Sequence, residues 1–117
     1  MPRTVRKYWP DPFPVGRTPL NLNWSEVKSD SVVLVTASRY VPLPNPPPGA
    51  PMQRLADDEV SVRIANISPH GWPYDNNQGV TFSISIDLAP FVVDSPPVFI
   101  VTDITLFDDT PIETQTT

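Results

Sequence analysis

One stretch of this chain, Ser68-Pro-His-Gly-Trp-Pro-Tyr-Asp-Asn-Asn-Gln-Gly79, gathers most of the side chains that could do chemistry. It holds the sole histidine, His70, together with Trp72, Tyr74, Asp75, Asn76 and Asn77. Recognition of a sugar is the chemistry this combination serves best. An aromatic ring offers a face for the C–H side of a pyranose, and amides and a carboxylate take its hydroxyls. The competing reading is structural. Long loops commonly pack on their own side chains, and Pro69 and Pro73 stiffen this one. The expectation is therefore that Trp72 folds back as a plug on the end of the domain, with His70 capping backbone groups or packing on Trp72 or Pro69.

Other chemistries fare worse on these residues. A nucleophilic dyad would need Ser68 beside His70, but the two are expected to point apart in a loop, and no nucleophile-elbow motif occurs. The acid pairs at Asp57-Asp58-Glu59 and Asp108-Asp109 are adjacent in sequence, so in a strand they face opposite ways and cannot share a proton. They read as solvated turn residues. No cysteine is present, which removes disulfides and thiolate metal sites. Calcium could use the oxygens of Asp75, Asn76, Asn77 and Gln78. The EF-hand pattern fails, however, because Gly79 stands where a fifth-position ligand belongs and the twelfth-position glutamate is missing. No cofactor and no metal are expected. With only four glycines, none clustered, no phosphate-cradling loop is present.

A second group of candidates lies near the N-terminus. Tyr8, Trp9 and Phe13 are interleaved with Pro10, Pro12 and Pro14. The prolines exclude a helix and any central strand, so the aromatics must be covered by the domain's own flank or by a neighbouring subunit. Residues 1–17 read as an extended arm, and Tyr8, Trp9 and Phe13 are its candidate assembly contacts. Arg3, Arg6 and Lys7 lie beside them, but with a net charge of −5 for the whole chain nucleic acid is not an expected partner.

Charge divides unevenly along the chain. Residues 1–54 carry seven basic and three acidic side chains; residues 55–117 carry one arginine and ten acids. Such a split suggests an electrostatic dipole, unless the fold interleaves the two halves.

These residues must be held by strands. Proline accounts for 17 of 117 residues against four glycines, yet it is absent from 20–41, 52–68, 74–89 and 98–110, so it marks junctions between elements. Leu20, Leu22 and Trp24 alternate with polar residues and predict a strand at 18–25. The β-branched run 31–41 predicts a second, apolar on both faces in its first half. Residues 60–67 and 80–88 flank the long loop, the latter in strict alternation, and 98–107 makes a fifth. The run 42–51 reads as polyproline II and a stiff crossover. Residues 52–59 have room for one helical turn at most, 93–97 form a turn, and 110–117 are a polar tail.

The fold expected is all-β: a small antiparallel sandwich of five to seven strands, Greek-key and immunoglobulin-like or jelly-roll-like, spanning 18–109. No apolar core follows the basic N-terminal residues and no run is long enough for a membrane helix, so cytosolic synthesis and no membrane span are expected. The two sequons, Asn23-Trp-Ser25 and Asn66-Ile-Ser68, read as chance matches. The leading function is non-catalytic: a structural or interaction subunit that assembles with other protein subunits, as a homo-oligomer or a larger complex. The alternative is a carbohydrate- or small-ligand-binding module using the 68–79 loop. An enzyme is not expected.

Overall fold

The computed structural model describes residues 2–43, 49, 52–55, 60–90, 97–108 and 113–115. Among them there is no helix. The strands are β1 (Arg3–Tyr8), β2 (Gly16–Asn23), β3 (Val33–Tyr40), the two-residue β4 (Arg54–Leu55), β5 (Val60–His70), β6 (Gly79–Leu88) and β7 (Ile100–Leu106). They form two antiparallel sheets, one ordered β1-β7-β3-β4 and the other β2-β6-β5. Each sheet has three main strands, and β4 extends the first at its β3 edge.

The central strands carry the core. In β6 the alternation read from sequence resolves into Val80, Phe82, Ile84 and Ile86, all fully buried, with Thr81 and Asp87 on the opposite face. In β7, Ile100, Ile104 and Leu106 do the same, with Thr102 also fully buried. A single buried cluster joins these side chains from both sheets to Leu22, Val27, Val35, Val60, Val98 and Phe13. Both are the central strands of their sheets, and they are the most buried of the described strands.

Several expectations need correction. Part of the extended N-terminal segment is a strand that was not expected: Arg3–Tyr8 is an edge strand paired with β7, from Arg3 opposite Leu106 to Tyr8 opposite Val101. Sequence reading misses it because its alternation is masked by basic side chains. Proline is not confined to junctions either. Pro19 lies in β2 and Pro69 in β5, both edge strands, where a missing N–H is tolerated. The polyproline run falls mostly outside the described residues, as do Asp57, Asp58, Glu59 and Asp109, most of the 93–97 turn and most of the tail.

The two halves of the chain interleave. Acidic-half β7 lies between β1 and β3 of the basic half, so opposite charges meet across the sheet. Arg6 Nε donates to Asp103 Oδ1 at 2.7 Å and Arg54 Nη2 to Asp103 Oδ2 at 3.1 Å. Arg63–Asp87 and Arg3–Glu26 also pair, each within its own half. The dipole inferred from linear charge is thus partly neutralised within the chain. No helix is long and apolar enough to cross a membrane.

Candidate functional site

Strand β5 continues three residues beyond the sequence-based boundary. A bulge makes this possible: Ala65 is opposite Ser83 and Ser68 opposite Thr81, so Asn66 and Ile67 together face one residue of β6. Asn66 takes φ of 56°, a left-handed conformation that asparagine tolerates. Beyond the bulge, Ser68, Pro69 and His70 rejoin the ladder, with His70 opposite Gly79. The connection is therefore residues 71–78, shorter than the twelve residues expected.

His70 pins the base of this loop. Its Nδ1 contacts the backbone carbonyl of Asn77, and its Nε2 lies 2.7 Å from Asn21 Oδ1 on β2. Asn21 Oδ1 also accepts from Thr81 Oγ1 at 3.1 Å. Ser68 and His70 stand two apart on one strand, not splayed in a loop as expected. Even so, the imidazole is engaged with Asn77 and Asn21 and is not directed at Ser68.

The loop is built tightly around its backbone. Gly71, at φ of 143°, occupies a region open only to glycine, and a Cβ there would lie 3.0 Å from the Val27 carbonyl oxygen. Its own carbonyl accepts from Tyr74 N–H at 3.0 Å and Asp75 N–H at 3.1 Å. The Trp72–Pro73 peptide is cis. Asp75 Oδ1 accepts from Asn77 N–H at 2.8 Å, an Asx turn. The neighbouring β2–β3 connection clamps the loop from outside, where Ser29 N–H and Ser29 Oγ both donate to the Trp72 carbonyl at 3.2 Å.

With the backbone fixed, the side chains project outward. Trp72 is 64% exposed and Tyr74 86%, the two most exposed large apolar residues described. This overturns the plug: the indole stands in solvent, while Val27 and Val80 are the nearby residues of the core. Beside the indole lies a depression of about 530 Å³ lined by Lys28, Trp72, Asp75, Asn76 and Gln78. Of the residues singled out from sequence, Trp72 and Asp75 line it, Tyr74 stands exposed on the same loop, and His70 and Asn77 support its base. Lys28 was missed. It comes from the β2–β3 connection, 44 positions before Trp72, and nothing local in sequence signals the meeting. Among the described residues no cluster of His, Asp and Glu could hold a metal ion.

The N-terminal aromatics serve a different part of the molecule. Phe13 is 8% exposed and belongs to the core. Trp9 meets it edge-on at 6.4 Å, and its Nε1 donates to Thr102 Oγ1 at 3.0 Å. Tyr8 packs edge-on against Tyr40 at 5.1 Å, and its hydroxyl accepts from Met52 N–H. Trp9, Phe13, Pro12 and Leu20 line a smaller, apolar cavity of about 220 Å³.

Comparison with protein-family models, with curated proteins and with solved structures finds no significant match to this chain.

Proposed function

We propose that this protein is a non-catalytic binding module that takes a carbohydrate at the 71–78 loop. One observation carries the reading: two aromatic side chains, Trp72 and Tyr74, stand in solvent on an anchored loop, beside a depression lined by a carboxylate, two amides and an amine. An isolated exposed aromatic is unremarkable. Two on one clamped loop, next to convergent polar groups, offer a stacking face with hydroxyl partners already in place. Preorganisation matters here, because a fixed loop has little conformational entropy left to lose on binding.

Assembly with other subunits, the leading expectation from sequence, loses much of its support. Phe13, Trp9 and Tyr8 find partners within the chain, and Asp103 of the acidic half meets Arg6 and Arg54 of the basic half. As for the finer architecture, nested pairing of β1 with β7 and β2 with β6, with successive strands β1, β2 and β3 alternating between sheets, supports a jelly-roll-like sandwich over an immunoglobulin-like one.

The test is Trp72→Ala, screened on a glycan array and by calorimetry against the best hit. Glycan binding should disappear, while the melting curve stays within the small range of surface substitutions, about 0.5 kcal/mol. A loss of several kcal/mol would make Trp72 structural and defeat the proposal. So would wild-type protein that binds no glycan.

A further inference from the structure

We propose that the ligand of this site is an anionic saccharide, its carboxylate or sulfate received by Lys28. The inference rests on the carbohydrate reading of the 71–78 loop and adds the charge class of the sugar.

Lys28 is mounted firmly. Its backbone N–H donates to Ser31 Oγ at 2.8 Å and its carbonyl accepts from Ser31 N–H at 3.1 Å. Ser31 Oγ is itself tied to Asp108 Oδ2 at 3.1 Å. Val27, next to it, is fully buried, and Ser29 is bonded to the Trp72 carbonyl. The ammonium thus belongs to a turn fixed on both sides and lines the same depression as the indole.

The Lys28 ammonium shares the depression with the Asp75 carboxylate and makes no ion pair with it. Among the described residues Lys28 and Arg17 have no ion-pair partner, whereas Arg3, Arg6, Arg54 and Arg63 each meet a carboxylate; of the two, only Lys28 lines the depression. Lys7 lies 4.3 Å over the Trp9 ring. Asp75 lines the depression too, but makes no salt bridge to Lys28. One of its oxygens is taken by the Asn77 N–H, and the other accepts no bond from the described residues. Two opposite charges thus face one depression without touching. A saccharide that carries an anion matches both: its hydroxyls donate to Asp75, Asn76 and Gln78 accept or donate beside them, and its anionic group meets Lys28. A neutral sugar would leave the ammonium to water alone.

The experiment titrates three probes into the wild-type protein: a galacturonate trisaccharide, the matched neutral galactose trisaccharide, and a galactose trisaccharide carrying sulfate. At least one acidic probe should bind roughly fivefold tighter than the neutral one at low salt, the scale of a single exposed charge pair. That preference should shrink at 0.5 M salt. Lys28→Gln should erase the difference between acidic and neutral probes, while Lys28→Arg should keep it. Comparing the two acidic probes tells carboxylate from sulfate. Equal affinity for all three, or a preference unchanged in Lys28→Gln, would overturn the anionic class alone. Binding of none would overturn the carbohydrate reading with it.

Discussion

Asp103 is the residue where the two halves of the chain are joined most tightly. Two guanidiniums converge on its carboxylate, Arg6 through Nε and Nη2 at 2.7 and 3.1 Å and Arg54 through Nη2 at 3.1 Å. The hydrogen bonds from Arg6, ahead of the opposing effect of burial, hold this carboxyl below its ordinary value. Its folded pKa lies below its unfolded one, so the contribution to stability is present above the unfolded value of about 3.9 and is lost as pH falls through the folded value. Asp103→Asn should therefore be less stable than wild type at pH 7, and the gap should close as the medium is acidified below pH ~4. Urea unfolding at both pH values measures this; a gap constant down to pH ~2 would show that the charge of Asp103 is not what the two arginines hold. Trp72 teaches a different lesson at this scale. A long loop stiffened by Pro69 and Pro73 suggested burial, yet the indole is exposed on a loop held by the Ser29 bonds to its carbonyl.

At the scale of elements, the hairpin of β5 and β6 delivers the loop, and β2 supports it from the far side of β6. Gly79 is the tightest point of this arrangement. A Cβ there would collide with the Leu22 carbonyl oxygen and lie 3.2 Å from Asn23 Cα, both on β2. Neither is a flexible side-chain end that could swing aside. Gly79→Ala should force β2 and β6 apart and cost about 1–3 kcal/mol, the usual range for overpacking. It should also disturb the His70–Asn21 contact that bridges β5 and β2. Denaturant titration checks the first effect, and the histidine ring signals in NMR the second. A fully stable variant would mean that the two strands have slack here. The bulge at Asn66 and Ile67 belongs to this scale as well, since it keeps Ser68 and His70 in the ladder and trims the loop to the segment that carries Trp72 and Tyr74.

For the whole molecule, the N-terminal segment is tied into the fold at one sheet edge and through Phe13. Strand β1 supplies one edge of the first sheet, Phe13 fills the core, and Tyr40 Oη donates to the Trp9 carbonyl at 2.8 Å. Removing residues 1–14 should abolish cooperative unfolding. Losing Phe13 alone is worth about 3–5 kcal/mol, against a total of about 5–15 for a domain. A truncated protein that still melts cooperatively near the wild-type temperature would show the segment to be an appendage, as a detachable assembly arm requires. The melting curve and light scattering of the same sample separate these outcomes.

Pattern alone determined the all-β class and most of the strands, because a two-residue period is a local property: β6 is legible from Val80, Phe82, Ile84 and Ile86 without any partner. It also marked the 68–79 region, since a histidine, two aromatics and a run of amides between two strands stand out in any context. Burial and encounter were decided only in three dimensions. Whether Trp72 points inward depends on how its loop is anchored, and the Ser29 bonds to its carbonyl are made by another connection. Whether the basic arm faces a partner depends on what lies beside it, and β7 brings Asp103 there. Lys28 reaches the depression only because Ser29 anchors one connection to the carbonyl of another, 43 residues away. No window of sequence contains such a meeting, because it is set by the order in which strands pair.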